Sequence, residues 1–180
     1  MQTIMGQAQA VCTAGGNLAH NGEGYGNEDD VLLVTLQFGG GAVGSMQYGS
    51  GFRWGEHYVK INGTEGAVLI DFKTSKVLLN MDGCVTEHFL HESEEENRER
   101  AAFNAGGNGG VAYGKGTAKL PGFNLTIMRR ELEAFRDAVL GLPIPAEIRP
   151  LFDGTAARSS VATAEAALTA LKERRWIPVS

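Results

Sequence analysis

The sequence predicts an α+β fold, a large and mostly antiparallel sheet with helices packed on one face. Three observations carry that expectation. Between residues 30 and 90 apolar residues alternate in short runs of period two. The connections between those runs are too short for the crossovers that parallel strands require. After residue 122 the apolar period lengthens to three or four, so strands come first and helices last.

Residues 1–6 read as the stub of a helix and residues 7–13 as a first strand. In residues 31–38 one face holds Leu32, Val34, Leu36 and Phe38, and the other holds Val31, Leu33, Thr35 and Gln37. Three glycines at 39–41 form a tight turn, and residues 42–49 return as the next strand. Residues 57–61, 67–72, 76–81 and 85–90 continue the meander. Asp82 and Gly83 form a type I′ hairpin turn between the last two. The charged run 92–100 reads as a solvated face or loop, and residues 105–116, with six glycines, as a long loop. Leu125, Met128, Leu132, Phe135 and Val139 make one helical stripe, stopped by Gly141 and Pro143. A second helix begins near Asp153, with Val161, Ala164, Leu168 and Leu171 as its buried stripe. Residues 176–179 add a terminal strand.

Two amphipathic helices cover one side of such a sheet. The other side, carrying Leu33, Thr35 and Gln37, is too apolar for free solvent. It is therefore expected to pair with a second copy of the chain, as a homodimer or higher homo-oligomer.

Composition narrows the function classes. The chain has 180 residues, 43% hydrophobic and 21% charged, which suits one domain spanning residues 1–180. Its net charge of −5 speaks against nucleic acid or an anionic membrane as partner. No apolar run is long enough to cross a bilayer, and the first six residues do not resemble a secretory signal. Cys12 and Cys84 lack metal or redox spacing and read as two small buried hydrophobes in a reducing cytoplasm.

Three motifs invite a chemical reading. Residues 109–116 approach a phosphate loop, but Gly116 stands where Ser or Thr would hold magnesium. His88 and His91 have HxxH spacing, yet on a strand they face opposite ways, so no metal site is expected. Residues 51–58, reading GFRWGEHY, gather a guanidinium, an indole and an imidazole at the end of a strand. Arg53 suits a carboxylate or hydroxyls, Trp54 the face of a sugar-like ring, and His57 a polar group, so these three are the expected substrate-binding residues. The other reading of this segment is a surface turn with Trp54 as a core anchor.

The run from Glu28 to Ser45, reading EDDVLLVTLQFGGGAVGS, resembles a strand pair of the glucose–fructose oxidoreductase, inositol dehydrogenase and MocA (Gfo/Idh/MocA) family. Residues 61–71, INGTEGAVLID, residues 131–143, ELEAFRDAVLGLP, and the alanine-rich helix after Asp153 are similar to further segments of that family, in the same order. The resemblance implies a dihydrodipicolinate-reductase-like C-terminal domain whose open sheet face commonly forms a dimer. It also implies a parent enzyme, an NAD(P)-dependent dehydrogenase or reductase of a polyol, sugar or related hydroxylated substrate. The family's N-terminal Rossmann domain, its EKP lysine and its DxGxH helix have no counterpart in this sequence. No catalytic and no cofactor-binding residue is therefore carried over. NAD or NADP is expected in the full-length parent and not on this chain alone, which is expected to be inactive by itself. The alternative is a non-catalytic binding or assembly module descended from such an enzyme.

Overall fold

The computed structural model describes residues 1–52, 55–105 and 120–180. In chain order its elements are α1 (Gln2–Met5), β1 (Ala10–Gly16), β2 (Val31–Gln37), β3 (Val43–Tyr48), β4 (Tyr58–Asn62), β5 (Gly66–Asp71), β6 (Lys76–Met81), β7 (Cys84–Phe89), α2 (Glu94–Ala105), α3 (Gly122–Val139), α4 (Thr155–Glu173) and β8 (Ile177–Pro178). Every strand pairing is antiparallel. The expected α+β class holds, with the strands shared between two four-stranded sheets ordered β3-β2-β1-β8 and β4-β5-β6-β7. The chain groups into two compact units. Met1–Trp54 with Leu142–Ser180 form one, and Gly55–Gly141 form the other. Most of the expected loop at 105–116, and the phosphate-loop lookalike inside it, lie outside the described residues.

In the first unit the register places Val11, Leu36 and Gly44 side by side, and likewise Thr13, Val34 and Met46. That face packs on α4, giving a core of Ala8, Val11, Val34, Leu36, Phe38, Ala166, Ala170 and Ile177, with Leu32 packed against it. Burying each large aliphatic side chain contributes roughly 1.5–3 kcal/mol. The face of β2 expected to be covered is the covered one. The stripe expected on α4 is corrected: Val161 and Leu168 are 58% and 51% exposed, while Ala166 and Ala170 face the sheet. The sheet already supplies the bulk through Leu36 and Phe38, so only methyl side chains fit where the helix comes close. α1 is fastened to α4 by Gln2, whose amide donates to Thr163 Oγ1 (3.0 Å) and accepts from Ser159 Oγ (2.6 Å).

The second unit is a four-stranded meander. Asp82 and Gly83 both have positive φ, 52° and 79°, as a type I′ turn demands. The run 92–100 is not a loop: α2 occupies most of it. Ser93 Oγ accepts the Glu96 N–H (3.3 Å), and Glu94, Glu95 and Glu96 place negative charge on the positive end of the helix dipole. α2 attaches through polar groups. Buried Asn97 accepts the Ser75 hydroxyl (2.6 Å), and Arg100 Nε and Asn104 Nδ2 donate to the Phe72 carbonyl (3.0 and 3.1 Å). α3 leans on α2 through Phe123 against Phe103 and through the Thr126 hydroxyl on Glu96 Oε1 (2.6 Å). The α3 stripe from Leu125 to Val139 is exposed rather than packed, and Cys84, expected to be buried, is exposed at the start of β7.

Candidate functional site

Arg53 and Trp54 lie outside the described residues. His57 is exposed just before β4, its ring stacked on Phe72 at 4.8 Å, and its carbonyl accepts the Phe72 N–H (3.0 Å). Of the three expected substrate contacts, His57 is thus the one whose surroundings are described. Phe72 holds its ring in place.

The most developed polar site is elsewhere, in the loop from β1 to β2. Asp30 stands just before β2 and is 6% exposed. Its carboxylate accepts the backbone N–H groups of Leu18 (2.8 Å), Ala19 (2.9 Å) and His20, so the returning chain wraps around one side chain. The Asp30 N–H donates to the Gly16 carbonyl (3.1 Å), and the Asn17 amide donates to the Gly26 carbonyl (2.9 Å), closing the loop at two levels. Gly49 and Gly51, just after β3, pass close against this loop. A Cβ on Gly49 would lie 2.1 Å from the Asp30 carbonyl oxygen, and one on Gly51 would meet Val31 and Ala19. Glycine is required at both by the closeness of that approach.

The carboxylate also accepts a hydrogen bond from His20 Nδ1 at 2.9 Å. The Leu18 N–H is the strongest of several donors that hold the Asp30 carboxyl below its ordinary value of 3.8, outweighing the effect of burial. An ionised carboxylate only accepts, so Nδ1 carries a proton, and in the neutral imidazole Nε2 presents a lone pair. Tyr25 sits against the imidazole, ring centres 5.4 Å apart and tilted by 48°. His20, Tyr25, Gly26, Glu28, Asp29, Asp30 and Ser50 line an open depression of about 330 Å³. Reasoning from sequence alone passes over His20, Tyr25 and Asp30 as a group. The available signal is a pair of aspartates at the entrance of a strand, with His and Tyr among the glycines upstream.

Other groups are committed to structure. His88 shares a hydrogen bond with Thr86 (3.1 Å), and His91 turns toward Glu96 and Arg100. Among the described residues no three His, Cys, Asp or Glu side chains converge as metal ligands. A dinucleotide would need free N–H groups at a helix N-terminus. α2 opens on three glutamates, the Phe123 N–H of α3 already donates to Glu99, and the Thr155 N–H of α4 donates to Asp153. Among the described residues these three helix starts offer no open N–H cradle of the kind that holds a pyrophosphate.

No helix among the described residues is long and apolar enough to cross a membrane. The chain is 40% identical, over its whole length, to a 2,7-anhydro-N-acetylneuraminate hydratase of Mediterraneibacter gnavus and 38% identical to one of Escherichia coli. It covers 49% of each, so it spans about half the length of the curated relatives it matches. Solved structures share the fold. One is an NAD binding oxidoreductase from Klebsiella pneumoniae (TM-score 0.66, 16% identity, 99% of this chain and 47% of that one). Another is a levoglucosan dehydrogenase in complex with NADH and levoglucosan (TM-score 0.64, 16% identity, 99% and 46%). The model of an oxidoreductase family's C-terminal alpha/beta domain matches residues 1–179, and the chain belongs to that family, Gfo/Idh/MocA.

Proposed function

We propose that this chain is the substrate-side domain of a two-domain, nicotinamide-dependent cytoplasmic enzyme whose substrate is a hydroxylated sugar of the anhydro-N-acetylneuraminate class. The observation that carries this reading is full-length identity of 40% and 38% to relatives from two bacteria that bear the same activity in their names. The chain alone is inactive and binds neither NAD nor NADP tightly. Calorimetry with both nucleotides checks this, and micromolar affinity for either would contradict it. The activity itself is tested by a chimera in which this chain replaces the matching half of the Escherichia coli hydratase. Turnover of 2,7-anhydro-N-acetylneuraminate is the expected result. A chimera that folds, judged by circular dichroism, and binds NAD but leaves the sugar untouched refutes the substrate class.

Arg53 binds a carboxylate or hydroxyls of the substrate, and Trp54 and His57 are its further substrate contacts. Arg53→Ala in the chimera then lowers kcat/KM about tenfold or more, the loss expected for a charged hydrogen bond, and a change within about twofold excludes the role.

The uncovered face of β1, β2 and β3 is the surface through which two copies associate. It aligns Ala14, Leu33 and Gln47, then Cys12, Thr35 and Ser45, then Ala10, Gln37 and Val43. Leu33 and Val43 on it are 46% and 64% exposed. Sedimentation velocity at micromolar concentration should give a dimer or larger closed assembly that Leu33→Lys dissociates.

A further inference from the structure

We infer that the depression beside His20 takes a neutral polyhydroxyl part of the substrate, with His20 Nε2 accepting a hydrogen bond from a substrate hydroxyl. This rests on the proposed sugar substrate and assigns one end of it. The geometry fixes which end of the imidazole is engaged. Nδ1 is committed to Asp30 at 2.9 Å, and the Asp30 carboxylate is further fixed by three backbone N–H groups. Among the described residues no group hydrogen-bonds to Nε2. The side chain is 40% exposed and borders the depression. A neutral imidazole held in this way offers an acceptor, and its partner must bring a donor.

The remaining lining selects which donor. Glu28 and Asp29 contribute two exposed carboxylates and Ser50 a hydroxyl, the Asp30 carboxylate being taken up by its own donors, and among the described residues no Lys or Arg lines the depression. An anion is repelled there. A chain or ring of hydroxyls supplies many donors to those acceptors without bringing negative charge, and the exposed Tyr25 ring offers an apolar face to the C–H side of a sugar. An acidic sugar would thus enter with its hydroxylated end here and its carboxylate away from this loop.

The test uses the 180-residue chain labelled uniformly with 15N. Long-range 1H–15N correlation should show His20 in the Nδ1–H form. Titration with neutral levoglucosan and with 2,7-anhydro-N-acetylneuraminate should move the His20 and Ser50 signals saturably. His20→Phe, which keeps the ring shape against Tyr25, should weaken both by about fivefold or more, the equivalent of one hydrogen bond. Asp30 is a positioning residue. Asp30→Asn should shift His20 toward a mixture of tautomers, whereas a purely structural carboxylate would leave the tautomer ratio alone. The inference falls if neither sugar moves His20, or if calcium chloride moves it and the sugars do not, which would make the loop a cation site. A chimera that turns over sugar while His20 stays silent leaves the proposed function standing and removes this inference. A responsive His20 in an inactive chimera does the reverse.

Discussion

Asp30 in the first unit and Asn97 in the second are alike in burial and opposite in consequence. Each is 6% exposed, each ties a connecting segment to its sheet, and each has a histidine beside it. Asn97 both donates and accepts. It takes the Ser75 hydroxyl and the His91 N–H, and gives its amide hydrogens to the carbonyls of His91 (2.7 Å) and Ser93 (2.9 Å). That network closes on itself, and the His91 side chain is left 9% exposed between Arg100, Glu96 and Phe123. Asp30 can only accept, so it must recruit donors, and one of those it recruits is an imidazole whose far nitrogen points outward. Asn97 completes its own network, whereas Asp30 leaves one edge of an imidazole exposed.

The largest expected effect breaks the closed network. Asn97→Ala leaves the Ser75 hydroxyl and the His91 backbone buried without partners and should cost about 3 kcal/mol, measured by urea unfolding. The open network should lose structure more locally. Asp30→Ala should speed hydrogen exchange at Leu18, Ala19 and His20 by about tenfold, each amide losing one charge-assisted bond.

Acid separates the two anchors by pH. Burial first, then the Arg100 charge, lowers the His91 pKa below its ordinary 6.5. The unfolded chain thus binds more protons there, so stability falls as pH drops from 6.5 toward the lower folded value. His91→Phe should flatten that slope in pH-dependent urea melts. Asp30 is also held low, as is Asp71, where burial is outweighed by the Thr74 hydroxyl and the N–H groups of Lys73 and Thr74. Their stabilisation is complete above 3.8 and is lost only below it, a second and more acid step. The smallest effect sharpens the contrast. His20→Phe should lower unfolding free energy by about 1 kcal/mol, because the buried Asp30 carboxylate loses one donor and keeps three.

The legibility of the sequence follows the same division. β2, the hairpins and the α3 period are readable because alternation and turn chemistry are local, and Asp82-Gly83 specifies its turn without help from the rest of the chain. α2 is poorly readable because its grip on the meander is made by Asn97, Arg100 and Asn104, which leave no apolar stripe. Ser93 followed three residues later by Glu96 is the one local sign of its start. The α4 face is misread because the period marks large residues, whereas close approach to Leu36 and Phe38 selects alanine. His20 and Asp30 stand ten positions apart in a glycine-rich loop, and only the closing of β1 on β2 brings them together.

The pairing of Ala10 with Pro178 and Val11 with Ile177 joins the first strand to the last. Gly55–Gly141 is one uninterrupted stretch, whereas the other unit is assembled from both ends of the chain. During synthesis the meander β4–β7 can therefore form from local contacts as soon as it emerges, while β1 and β2 wait for α4 and β8 to complete their core. The order of birth becomes an order of folding, with the low-contact-order unit first. Ribosome-bound chains halted at residue 150 should already resist protease across β4–β7 and remain sensitive in the loop that carries His20. Equal resistance in both regions would show that the final strand is not what the first unit awaits.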